Sequence, residues 1–168
     1  MPIVTLPKHI PRIDPSALIL QTAVVVGDVE IGAHSSIWYG AVVRGDVNSI
    51  RIGKRTNIQD LSIVHVTAET APCTIEDDVT IGHQAVIHGC HIMSRVLIGM
   101  GAVILDNVVI GSDSLVAAGS VVPARMEVPP GVLVMGAPAR VKRELTEKEK
   151  RDILESAHHY VSYQEMYR

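Results

Sequence analysis

Three histidines, His65, His83 and His88, offer the clearest chemistry in this chain of 168 residues. They stand in Val64-His65-Val66 and in Ile81-Gly82-His83-Gln84-Ala85-Val86-Ile87-His88-Gly89. Three neutral imidazoles can hold a divalent metal and leave one coordination position open for water, the layout of a catalytic zinc site. The remaining histidines, His9, His34, His91, His158 and His159, read as ordinary surface residues. Cys90 lies near His88, but a buried, inert thiol is the commoner use of a free cysteine, so it is not counted as a ligand.

What must position the trio is a repeat. Apolar residues recur every six positions at Val25, Ile31, Ile37 and Val43, at Ile52, Ile58 and Val64, at Ile75, Ile81 and Ile87, and from Ile92 through Ile98, Ile104, Ile110 and Val116 to Val122. Glycine follows directly at Gly32, Gly53, Gly82, Gly99 and Gly111. A period of six fits neither the 3.6-residue helix nor simple strand alternation. It matches the hexapeptide signature of a parallel β-helix. Each hexad then supplies one short strand and one corner, and three hexads close a triangular coil. The apolar residue points inward, and the glycine suits a tight corner. Coils stack at roughly 4.8 Å, so residues one coil apart form columns.

The register breaks in three places. Val43 to Ile52 spans nine residues, Val64 to Ile75 eleven and Ile87 to Ile92 five. The first two are expected to be corner insertions, which in solenoids map to loops, often at the functional face. Counting coils, Val64 and Ile87 are neighbours in one column, so His65 and His88 stack, with Arg44 one coil earlier. His83 belongs to the adjacent face, with Asp60 stacked near it. On this register His83 cannot join His65 and His88 within one chain. A cyclic trimer solves the problem by setting His83 of one subunit opposite His65 and His88 of the next, giving equivalent sites at the interfaces. Asp60 is expected to orient His83 or to pair across the interface with Arg44 or Asp46.

The end of the chain leaves the repeat at Val128-Pro129-Pro130-Gly131 and Gly136-Ala137-Pro138. Thr146-Glu147-Lys148-Glu149 reads as a capping box, opening a charged helix from Glu147 to Tyr167. Residues 1–145 are expected to form the solenoid, with Met1 to Pro15 extended, and residues 146–168 a helix that packs on and caps the prism.

Composition narrows the function. Net charge is −3 with no basic block, which argues against a nucleic-acid partner. No apolar run is long enough to span a membrane. The opening residues show no signal-peptide pattern, and the two cysteines, Cys73 and Cys90, give no disulfide framework. The expected compartment is cytoplasmic. Phe is absent and Trp occurs once, as suits a narrow prism filled by Ile and Val.

Taken in order, Arg44-Gly45-Asp46, Asn57-Ile58-Gln59-Asp60, His65, Gly82-His83 and His88-Gly89 resemble the γ-class carbonic anhydrase pattern. The resemblance covers nearly the whole chain, including Gly136-Ala137-Pro138-Ala139 and the C-terminal helix. It implies an all-β solenoid that is a left-handed parallel β-helix of hexapeptide repeats with a C-terminal α-helix. It implies a homotrimer with Zn2+, or Fe2+ or Co2+, bound by His65, His83 and His88. It places Gln59 and Asn57 beside the bound water and the substrate, and Arg44 at the subunit interface with Asp46 and Asp60. Tyr160 is the best match for a tyrosine that reaches from the C-terminal helix toward the pocket, and it serves equally as a residue packing that helix on the prism. Two glutamates assigned to proton transfer in the best-characterised members are replaced here by Val47 and Ala68, with Glu69 one position off. Their loss bears on turnover more than on metal binding.

The expected activity is metal-dependent, reversible hydration of CO2 to bicarbonate by a metal-bound hydroxide at trimer interfaces. Two alternatives stand beside it. A hexapeptide acyltransferase or CoA thioesterase would use the same prism, although an acyltransferase base needs one histidine, not three. A metal-bound trimer acting only as a scaffold is compatible with the missing glutamates.

Overall fold

The computed structural model describes residues 3–7 and 9–167. Of the expected N-terminal extended segment, Met1, Pro2 and Lys8 lie outside the described residues. The chain is a left-handed parallel β-helix followed by one α-helix. One wall is a ladder of seven parallel strands, Leu18–Ile19, Ser36–Ile37, Asn57–Ile58, Thr80–Ile81, Leu97–Ile98, Leu115–Val116 and Val132–Gly136, closed by the antiparallel strand Ala139–Glu144. The other two walls are joined by the long strands Val24–Ile31 and Val42–Ile52, which bend around the corner between them. The hexad residues point inward as read: Ile37, Ile58, Ile81, Ile98 and Val116 are wholly buried, as are Val43, Val64, Ile87, Ile104 and Val122. Burying each such side chain contributes about 1.5–3 kcal/mol. With no ring to accommodate, the β-branched column fills the prism.

Three expectations are corrected. The nine residues from Val43 to Ile52 are not a loop but part of the continuous strand Val42–Ile52. They stay extended because Val24–Ile31 turns the same corner beside them, with Gly27 at φ +82° and the register shifting between Gly27 and Val29. The glycines that follow the core residues do not make left-handed corners. A Cβ on Gly82 would lie 2.7 Å from Met100 N and one on Gly99 2.4 Å from Ala118 N, so close stacking of successive coils excludes a side chain there. The left-handed corners fall further along each hexad, at Arg95, Gly101, Asn107, Asp113, Gly119 and Arg125, with φ of 57–67°. Finally, the α-helix runs Glu147–Tyr163 and tightens into a 3-10 turn over Gln164–Tyr167. Gln164 Nε2 donates to the His34 carbonyl at 2.6 Å, which draws the chain onto the prism at that point.

The helix begins as read, with Thr146 accepting from Glu149 N and the Glu149 side chain accepting from Thr146 N. It buries Ile153 and Ala157, and the Trp38 ring meets Tyr160 and Tyr167 edge-on at 5.2 Å. Among the described residues, no helix is long and apolar enough to cross a membrane.

Candidate metal centre

His65 ends strand Ile63–His65 and His88 ends strand Val86–His88. The strands pair in parallel with Val64 opposite Ile87 and His65 opposite His88. Because the core residue points inward, both following imidazoles point outward. Their facing nitrogens, His65 Nδ1 and His88 Nε2, are 3.1 Å apart. Arg44 directly follows Val43, which pairs with Val64, and so stands at the next level of the column.

The far side of each ring meets a carboxylate. His65 Nε2 lies 3.1 Å from Asp46 Oδ1, and Asp46 Oδ2 accepts from Arg44. His88 Nδ1 lies 2.5 Å from Asp106 Oδ1, and Asp106 Oδ2 accepts from Thr67 Oγ1 at 2.8 Å. Partial burial pushes the Asp46 carboxyl up, but the bonds from Arg44 and His65 outweigh it and hold the group below the usual carboxylate range. The same balance holds for Asp106, with His88 and Thr67 as donors. Both acids therefore act as ionised acceptors at neutral pH. Each ring, when neutral, donates from its far nitrogen, and the two near nitrogens face each other with lone pairs. Such a pair is held by a shared proton or by a cation.

A metal ion fits this donor set. Two nitrogens about 2.0–2.1 Å from one tetrahedral zinc lie roughly 3.4 Å apart, close to the 3.1 Å found here. Ligating histidines commonly donate their second N–H to a carboxylate, and both of these have one. His83 has the same support, since its Nδ1 is 2.8 Å from Asp60 Oδ2. It sits at the corner after strand Thr80–Ile81, on the neighbouring wall. Among the described residues of one chain, no three His, Cys, Asp or Glu side chains converge as a ligand set. Cys90 belongs to the core beside Cys73. Its thiol is pushed well above the ordinary range by the hydrogen bond with Cys73 and by burial.

Asn57 and Gln59 lie on the His83 wall, buried to 1% and 5% exposure. Asn57 Nδ2 donates to Thr80 Oγ1 at 3.0 Å, and Gln59 Nε2 donates to Asn57 Oδ1 at 3.1 Å. Beside them, between helix and prism, a cavity of about 300 Å3 is lined by Gln59, Thr80, Leu97, Leu115, Ala117 and Ser156, among others. Tyr160 packs on Trp38 at 5.2 Å. Burial, and after it the Asp60 charge, raises the Tyr160 phenol above its usual value.

Asp106 and Thr67 are the members of this cluster that sequence reasoning missed. A signal existed: Ile104 is the coil neighbour of Ile87, so an acid two positions after Ile104 stands next to the residue that follows Ile87.

Comparison with known proteins agrees with the fold. Residues 89–124 match the family model described as bacterial transferase hexapeptide (six repeats). The carbonic anhydrase of Geobacillus kaustophilus is 44% identical over 158 residues, which is 94% of this chain and 86% of that protein. The mitochondrial gamma carbonic anhydrase 2 of Arabidopsis thaliana is 45% identical over 157 residues. That alignment takes in 90% of this chain, which spans 56% of the plant protein's length. A solved hexapeptide transferase family protein from Anaplasma phagocytophilum superposes with a TM-score of 0.94 at 38% identity, over 99% of this chain and 98% of that one. Since the likeness runs through nearly the whole chain and not only through its repeats, the chain belongs to the γ-class carbonic anhydrase family.

Proposed function

We propose that this chain catalyses the metal-dependent, reversible hydration of CO2 to bicarbonate, at sites completed between the copies of a homotrimer. The observation that carries this reading is the pair of imidazole nitrogens 3.1 Å apart, each ring backed by its own carboxylate. A Zn2+, Fe2+ or Co2+ ion held by His65, His88 and a neighbouring copy's His83 would act as a Lewis acid, lowering the pKa of water toward about 7. Asp46 and Asp60 orient His65 and His83. The amide chain fixes Gln59. Thr80 Oγ1 accepts from Asn57, Asn57 Oδ1 accepts from Gln59 Nε2, and Gln59 Oε1 is left to accept from a reacting water and aim its lone pair at CO2. With Val47 and Ala68 where proton-transfer glutamates are expected, the product proton would leave through buffer, Tyr160 or a mobile histidine, and slow transfer at this step would limit turnover.

The assembly rests on a second feature. Val24, Val42, Ile63, Val86, Val103 and Val121 stack in register and face outward beside the His65–His88 column. Ile63 is exposed and the others are half-buried; an outward apolar ladder of this length is suited to a cover, and a second copy carrying His83 would supply it. The unpaired cysteines favour a reducing compartment, and we place the protein in the cytoplasm.

The test is stopped-flow CO2 hydration on protein of measured metal content, prepared without oxygen and reloaded with Zn, Co or Fe, with its mass determined by light scattering. Activity that tracks occupancy in a trimer is expected. Full occupancy without activity overturns the hydratase reading. The apolar cavity beside Gln59 favours acyl transfer or thioester hydrolysis as the second reading, and CoA thioesters would then be assayed.

A further inference from the structure

We propose that Asp106 is a positioning residue of this centre, holding His88 as the tautomer that donates from Nδ1 and presents Nε2, and tying that ring through Thr67 to the 67–71 loop. The proposal rests on the metal-centre reading above only for its consequence for metal affinity. The tautomer and the loop tether belong to the chain itself.

Asp106 comes from the most regular part of the solenoid and reaches back one coil. Its Oδ1 is 2.5 Å from His88 Nδ1, and its Oδ2 accepts from Thr67 Oγ1 at 2.8 Å. Each oxygen thus has its own donor, and the carboxylate is clamped from both sides. A clamped acceptor leaves a neutral His88 one tautomer, because Nδ1 must carry the proton. His88 Nε2 then faces His65 Nδ1 with its lone pair.

The corner between His88 and Asp106 has been emptied to allow this approach. Gly89 sits at φ +51°, and a Cβ there would lie 2.6 Å from Asp106 Oδ1 and 2.6 Å from Ala71 Cβ. A side chain at that position would strike both the carboxylate and the loop. The loop itself closes through a short antiparallel bridge between Thr67 and Ala71. Asn48 Nδ2 fastens it by donating to Thr67 O at 3.0 Å, and Asp106 fastens it at the Thr67 hydroxyl. Loop and imidazole share one anchor, so displacing the loop loosens His88.

The experiment uses the full-length protein with 15N-labelled histidine. Long-range 1H–15N correlations report which His88 nitrogen carries the proton in the metal-free protein. Chelator competition with Zn2+ gives the metal affinity, and hydrogen exchange reads the amides of residues 67–71. Wild type is expected to show His88 protonated at Nδ1. Asp106→Ala should bring in the Nε2–H tautomer and weaken Zn2+ binding about 10–100-fold. Thr67→Val, which keeps the carboxylate and has an isosteric side chain, should lower affinity by about tenfold or less and speed exchange in the loop. His88 protonated at Nδ1 in D106A, with affinity within about twofold of wild type, overturns the proposal. If D106A does not fold, T67V decides: unchanged loop exchange and affinity overturn the proposal equally. A wild type that binds no Zn2+ defeats the metal reading, and the tautomer measurement still judges Asp106.

Discussion

Two stretches of one solenoid differ in what they ask of the repeat. From Ile92 to Val122 the core residues fall strictly six apart, the strands are two residues long, and every sixth residue from Arg95 to Arg125 takes a left-handed corner. From Val43 to Ile87 the same prism carries a bent eleven-residue strand and the bridged 67–71 loop, and Ile87 to Ile92 is cut to five residues. All the imidazoles of the candidate centre lie in the irregular stretch. The regular coils supply a template on which columns form, and the departures fall among the residues of the candidate centre. The short hexad brings the corner to Gly89 directly after His88 and admits Asp106, the one contribution from the regular run.

The strongest way to sharpen this contrast is to remove chemistry without touching the core. His88→Ala is expected to abolish hydration activity and weaken metal binding more than about 100-fold, since losing a ligand exceeds losing a ligand's support. Ile87 still fills the prism, so the circular dichroism spectrum and melting temperature should stay near wild type. Global unfolding of this variant would show that the column is structural. Ile110→Ala in the regular run is the converse. It leaves a cavity in a wholly buried position and should cost about 2–5 kcal/mol, read as a lower urea midpoint. Metal bound per folded chain should be unchanged. A loss of metal in I110A would mean that the two stretches are not separable.

Much of this was legible in the chain because a fixed period converts position into place. His65 and His88 follow residues of one column, and His83 and Asp60 follow residues of the next by two positions, so their pairings could be counted. The unread features depend on what lies across a coil or a corner. Val42–Ile52 looks like an insertion until Val24–Ile31 is seen turning beside it. Asp106 meets His88 across the space that Gly89 leaves, and neither residue alone announces the other. The end of the α-helix at Tyr163 follows from the pull of the His34 carbonyl on Gln164, 130 residues apart.

The finest test sets one corner against another. Gly101 and Gly89 both have positive φ, +67° and +51°. Around Gly101 nothing lies within 4 Å of an added Cβ, and equivalent corners already hold Arg95, Asn107, Asp113 and Arg125. Gly101→Ala should therefore cost only the left-handed backbone preference, about 1 kcal/mol. Gly89→Ala adds contacts at 2.6 Å with Asp106 Oδ1 and Ala71 Cβ. It should cost about 2–3 kcal/mol and should also lower metal affinity, because the carboxylate or the loop must give way. Matched denaturation of the two variants, with Zn2+ titrations on each, separates backbone strain from displacement at the site. If G89A proved as mild as G101A in both measurements, the corner would be one more turn of the repeat, and the short hexad would have no part in seating Asp106.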